Sequence, residues 1–85
     1  MTNQDVAEKL REVYNLMQLA GENRFRAIAF DRAAQTIEGL NEEILTHIEN
    51  DTLTNIKGIG KSIAEDIRAL HETGSMPVLQ SLKER

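Results

Sequence analysis

Residues 53–67 read LTNIKGIGKSIAEDI. Leu53 and Ile56 stand three apart, Gly58-Ile59-Gly60 follows, and Ile63, Ala64 and Ile67 resume a helical spacing. Two glycines in three positions stop a helix, while the isoleucine between them is too apolar for an open turn. The chain is therefore expected to reverse here and send Ile59 inward as an apolar plug. Both glycines are expected to supply backbone angles that a side chain would obstruct. No strand pattern precedes them, which makes a dinucleotide fingerprint a poor match, and only Ile59 separates Gly58 from Gly60-Lys61-Ser62, too few residues for a phosphate loop. A helix opening near Lys61 presents unpaired N–H groups and the positive end of its dipole, which suit a phosphate. Lys61 adds charge at the rim, and Ala64 is small where two helices cross. The plain alternative is a glycine-rich helical turn with no ligand.

The rest of the chain is helical in pattern. In residues 4–21, Val6, Leu10, Val13, Met17 and Ala20 recur at steps of four and three, Thr2 and Asp5 suit a capping box, and Gly21 suits the stop. Residues 23–39 form a second helix with Asn23 as cap. Its stripe is read as Phe25, Ala29, Ala33 and Ile37, widened by Ile28. A third runs over 41–50 with Asn41 as cap and Ile44, Leu45 and Ile48 as its apolar edge. His47 has no second histidine or cysteine at ligand spacing and reads as a surface residue. After Gly74, Ser75 is a candidate cap, Pro77 fits the first turn, and Val78, Leu79 and Leu82 close the core. The expected core is Leu10, Val13, Met17, Ala29, Ala33, Ile37, Ile48, Ile63, Ile67 and Leu79.

With 85 residues the chain reads as a single domain, 1–85, expected to be monomeric. It has no cysteine, no apolar run near the ~20 residues that span a bilayer, and no signal-peptide core at its start. A cytoplasmic location with no membrane partner fits this. The net charge of −4 argues against a histone-like nucleic-acid binder. Its distribution is uneven: residues 1–50 carry 5 basic and 9 acidic side chains, residues 51–85 carry 5 of each. An anionic partner must then meet a local patch. Arg24, Arg26 and Arg32 form the tightest basic cluster.

The stretch from Leu53 to Ile67 resembles a helix-hairpin-helix motif in the pattern h-x-x-h-x-G-h-G-x-x-x-A-x-x-h. Such motifs bind the DNA backbone without reading sequence. With GENRFRAIAFDRAAQTIEGL, LTNIKGIGKSIAEDIRALHETG and the closing SLK, the chain resembles, over about residues 4–84, the small N-terminal domain of family X DNA polymerases, bacterial type. That resemblance implies an all-α, compact four-helix domain gripping the 5′ side of a DNA gap, with a polymerase domain downstream in the same chain. It implies DNA contacts at Arg24, Phe25, Arg26, Lys57, Gly58, Ile59, Gly60, Lys61 and Ser62, with Phe25 able to stack on a base. It also implies a monovalent cation, Na or K, held by the backbone carbonyls of Thr54, Ile56 and Ile59; no other cofactor is expected.

Some relatives in that family are lyases that remove a 5′-deoxyribose phosphate through a lysine Schiff base. Their nucleophile falls at Asp66, and their supporting lysines at Ser62, Thr54 and Val78. Their supporting tyrosine falls at Phe30. Arg26 keeps a positive charge where a phosphate lysine would stand. A carboxylate cannot form an imine, so the expectation is a non-catalytic domain. A lyase using Lys57 or Lys61, and an interaction module without DNA binding, are the alternatives.

Overall fold

The computed structural model describes residues 1–84. Five α-helices are joined by short loops: α1 (Asn3–Leu19), α2 (Arg24–Glu38), α3 (Ile44–Glu49), α4 (Lys61–Thr73) and α5 (Pro77–Lys83), with a 3-10 turn at Leu53–Asn55 before α4. The all-α expectation holds. The described residues form five helices and a turn where the resemblance implied four helices; the segment after Gly74, read from the sequence as helical, forms the short α5.

α1 begins where the capping pattern places it. The Asp5 N–H donates to Thr2 Oγ1 at 3.1 Å, and the Thr2 N–H donates to Asp5 Oδ2 at 2.9 Å. Val6, Ala7, Leu10, Val13 and Met17 are buried along one face. That face lies along α2, the most extensive helix pairing in the domain. Ala7 meets a helix rich in buried alanines (Ala27, Ala33, Ala34), so the two backbones can approach closely. α5 packs back on α1 and α4, burying Leu79 and Leu82.

The buried stripe of α2 differs in phase from the one read in the sequence. Ala27, Phe30, Ala33, Ala34 and Ile37 are buried; Ala29 and Ile28 are half-buried, and Phe25 is 84% exposed. Alanines on several sides of α2 leave two apolar arcs of similar width. The arc with Phe30 at mid-helix reaches α1, while Phe25 lies in the first turn.

α3 starts at Ile44, and its cap comes from α1 rather than Asn41. The Ile44 N–H donates to Asn3 Oδ1 at 2.7 Å, and Asn3 Nδ2 donates to the Glu42 carbonyl at 2.8 Å. Burial of Ile44 draws the helix start onto α1, where Asn3 waits. Ile48 is only half-buried. His47 is not a surface residue: its side chain is 14% exposed, with Nδ1 2.8 Å from Thr52 Oγ1 and Nε2 3.3 Å from Glu42. Before α5, the buried Met76 takes the N-cap position instead of Ser75, and Pro77 opens the helix.

Asn3→Ala removes both ends of the α1–α3 tie. It should cost about 1–2 kcal/mol, a loss of roughly 4–8 °C in Tm per kcal/mol for a domain of this size. Asn3→Asp, which keeps the acceptor, should lose less, and Asn41→Ala should stay within about 0.5 kcal/mol. Thermal melts of the three variants measure this.

Candidate nucleic-acid interface

The hairpin is closed by one turn bond, Ile59 N–H to the Ile56 carbonyl at 3.0 Å. Ile59 is buried with Ile56, Ile63 and Ala64, so the plug read from the sequence is in place. The two glycines flanking it are not equivalent. Gly58 has φ +92°, in the region that favours glycine, and a Cβ there would stand 3.4 Å from Thr36 Oγ1 on α2. Gly60 has φ −84° and ψ 176°, which any residue adopts, and a Cβ there would meet nothing within 4 Å. The expectation that Gly60 is needed for its backbone angles is therefore corrected.

Gly60 is the N-cap of α4 and carries no side chain to accept from the first turn. Its carbonyl receives the Ala64 N–H at 2.9 Å, which begins the internal ladder. The N–H groups of the first turn before Ala64 have no acceptor within a helix. The other long helices differ: Thr2 caps α1, and Asn23 Oδ1 caps α2 by accepting from Phe25 at 2.8 Å and Arg26 at 3.3 Å. Donors are thus left toward solvent at α4, beside the exposed Lys61 and Ser62.

Apart from Arg68, which pairs with Asp51 beside the hairpin, the described basic residues sort into two groups. Arg11 pairs with Glu38 at 2.5 Å and Asp31 at 3.8 Å, Lys83 pairs with Glu12 at 3.1 Å, and Lys9 with Glu12 at 3.5 Å. These exposed pairs stabilise little, but they neutralise the positive charge around α1. Arg24, Arg26, Arg32, Lys57 and Lys61 form no ion pair among the described residues. All five are exposed, at the start of α2, on its outer face and in the hairpin. Phe25, Ile28, Ala29, Arg32 and Gly58 line one shallow groove, so the α2 cluster and the hairpin share a surface. That groove brings together Phe25 and Gly58 of the predicted residues, whereas Ile59, Gly60 and Lys61 line a second concavity. Arg32 is a groove residue that the sequence grouped with the basic cluster without placing it at the hairpin. Thr54 is exposed and lines that second concavity with Gly60 and Lys61, while the Ile56 side chain is buried. No group of three or more His, Asp or Glu side chains able to hold a metal ion occurs among the described residues.

Asp66 is half-buried one turn into α4. Burial raises its carboxyl above the ordinary aspartate value; nearby Arg26 lowers it and Glu65 raises it. Desolvation outweighs the arginine, so the folded state penalises the charged form. For an acid whose folded pKa is raised, stability is lost as pH rises through the carboxylate range and is regained below the unfolded value. Asp66→Asn should therefore raise Tm at pH 7, with the gain fading below about pH 4. Melts of both proteins across pH 3–7 test the sign.

No helix among the described residues is long and apolar enough to cross a membrane. None of the curated proteins compared matches the chain significantly. Residues 1–76 match the helix-hairpin-helix domain family, whose domains generally bind nucleic acid. With a buried Ile59 between two glycines, an uncapped α4 and a match over nearly its whole length, the chain belongs to the helix-hairpin-helix domain family.

Proposed function

We propose that this domain binds DNA through its phosphate backbone, without reading sequence, at gapped or 5′-phosphorylated ends, as the N-terminal module of a family X-type repair polymerase. The observation that carries the binding is the open N-terminus of α4. Gly60 leaves free space where a Cβ would stand, and its own conformation does not require glycine. A phosphate can approach the backbone N–H groups there, in the field of the helix dipole. Lys57 and Lys61 flank it, and Arg24, Arg26 and Arg32 extend the positive surface along α2. Phe25 stands in water at 84% exposure, where its ring can stack on an unpaired base at a gap. A monovalent cation held by the carbonyls of Thr54, Ile56 and Ile59 would add a bridging charge. The Ile56 oxygen accepts the Ile59 N–H and keeps a second lone pair for it. The polymerase context is supported by the resemblance of residues 4–84 to that family's N-terminal domain.

Titration with a gapped duplex bearing a 5′-phosphate should shift the backbone amides of Gly58 through Ser62 in NMR spectra. Affinity should fall as salt rises. Gly60→Asp places an internal carboxylate acceptor on the same N–H groups. It should leave the fold as stable or better by a few tenths of a kcal/mol, roughly, yet weaken binding by about 10- to 100-fold. Equal affinity of this variant and the wild type would sink the proposed phosphate site. Unchanged wild-type spectra at low salt would make the domain an interaction module.

The same reading expects no efficient lyase. Asp66 has no amine, and Ser62, Thr54, Val78 and Phe30 leave the phosphate and supporting positions bare. Borohydride trapping of a 5′-deoxyribose phosphate end should yield no rapid adduct with the wild type, and little more with Asp66→Lys, since amine and phosphate must be held in register. Fast wild-type trapping abolished by loss of Lys57 or Lys61 would instead identify a relocated nucleophile.

A further inference from the structure

A second wall of the hairpin carries an arginine that the site described above does not use. Asp51, Thr54, Gly60, Lys61, Glu65 and Arg68 line one concavity beside the α4 N-terminus. Arg68 projects from α4 toward the α3–hairpin connection, where its Nη2 donates to the Asp51 carboxylate. We propose that Arg68 is a second phosphate ligand, masked by Asp51 in the free protein, and that DNA binding exchanges the Asp51 carboxylate for a backbone phosphate. The inference rests on the DNA-binding reading of the hairpin and names a further residue for it.

Spacing supports the exchange. Lys61 and Arg68 are seven residues apart, two turns of α4, so they share a face about 10.5 Å long. A DNA strand carries one phosphate per ~3.4 Å of duplex axis. A strand whose phosphate sits at the α4 N-terminus can therefore present another to Arg68. Glu65 lies between these positions and is exposed, free to turn into solvent.

The pair is built for exchange. The Asp51 side chain is 78% exposed and that of Arg68 38%, so a phosphate can replace the carboxylate without opening the core. The contact runs through Nη2, and Arg68 Nε is enclosed with no acceptor. A guanidinium offers five donors and favours two-point contact with an oxyanion. One end-on carboxylate leaves most of that capacity unfilled.

The backbone at Asp51 is also informative. It is the one residue other than glycine with positive φ among the described residues, at +57°. Asparagine and glycine adopt that region as readily. The turn itself therefore does not call for a carboxylate, whereas Arg68 does. An electrostatic mask here would restrain binding until a polyanion of sufficient charge density competes for the arginine.

The test is fluorescence anisotropy with a one-nucleotide gapped duplex carrying a 5′-phosphate, over a salt series, for the wild type and Asp51→Asn, Arg68→Gln, Arg68→Lys and the Asp51→Asn/Arg68→Gln double variant. Asp51→Asn keeps the turn and should tighten binding by about two- to five-fold. Arg68→Gln should weaken it, and lower the slope of log K against log salt by about 0.9. Arg68→Lys should recover much of the slope. The gain from Asp51→Asn should vanish in the Arg68→Gln background. The Arg68 Nε–H resonance should move on DNA addition in the wild type, a change that a purely structural ion pair would not show. If the wild type binds with its hairpin amides shifted, but Arg68→Gln keeps the wild-type slope or the Asp51→Asn gain persists without Arg68, the exchange is wrong and the phosphate site at Gly60 stands. If the wild type does not bind at all, the DNA-binding reading falls and the exchange falls with it.

Discussion

Ile59 is anchored in the core by the hydrophobic effect, and the geometry of the interface depends on that anchor. Full burial of an isoleucine contributes about 1.5–3 kcal/mol, which offsets part of the roughly 1–2 kcal/mol per residue that ordering the loop backbone costs. With Ile59 inside, the flanking glycines must lie at the surface. Gly58 passes close to Thr36 of α2, which sets the hairpin against the basic face of that helix. Gly60 then begins α4 with its first-turn N–H groups turned outward. The loop needs no dedicated rigid scaffold of its own, because the same side chain that closes the turn also completes the core.

The second constraint is the distribution of ion pairs. A net charge of −4 opposes binding to a polyanion, yet the acidic excess is concentrated in the first 50 residues. The carboxylates of Glu12, Asp31 and Glu38 engage Lys9, Arg11 and Lys83 around α1. Among the described residues, Arg24, Arg26 and Arg32 on α2 and Lys57 and Lys61 in the hairpin form no such pair. A locally positive surface on an acidic domain favours modest, salt-sensitive affinity and disfavours diffuse adhesion to nucleic acid. Asp66 beside Arg26 and Asp51 on Arg68 temper that surface further, so the domain carries its own acidic competitors within its positive face.

Much of this architecture is legible in local sequence. The capping box at Thr2 and Asp5, the Asn23 cap, the Pro77 start and the glycine stops act between residues two to four apart, so a reading of neighbours finds them. The buried Ile59 is equally legible, since an isoleucine fenced by glycines has few other places to go.

Tertiary structure decided the remainder, because the decisive partners are far apart in the chain. Asn3 caps a helix 41 positions away, a role that local reading assigned to Asn41. Phe30 is buried and Phe25 exposed because α1 selects one of two apolar arcs on an alanine-rich helix, and periodicity alone does not separate arcs of similar width. His47 is drawn under Glu42 and Thr52 by the path of the loop after α3. Gly60 looked like a conformational necessity beside Gly58, but its ordinary φ and the empty space around it are properties of three dimensions. Sequence determined the starts of α1 and α2 and that the chain reverses at Ile59, because those outcomes rest on interactions within one turn. Only the folded structure decided which of the described cations find a carboxylate and which backbone donors remain open, because these depend on what the rest of the chain brings beside them.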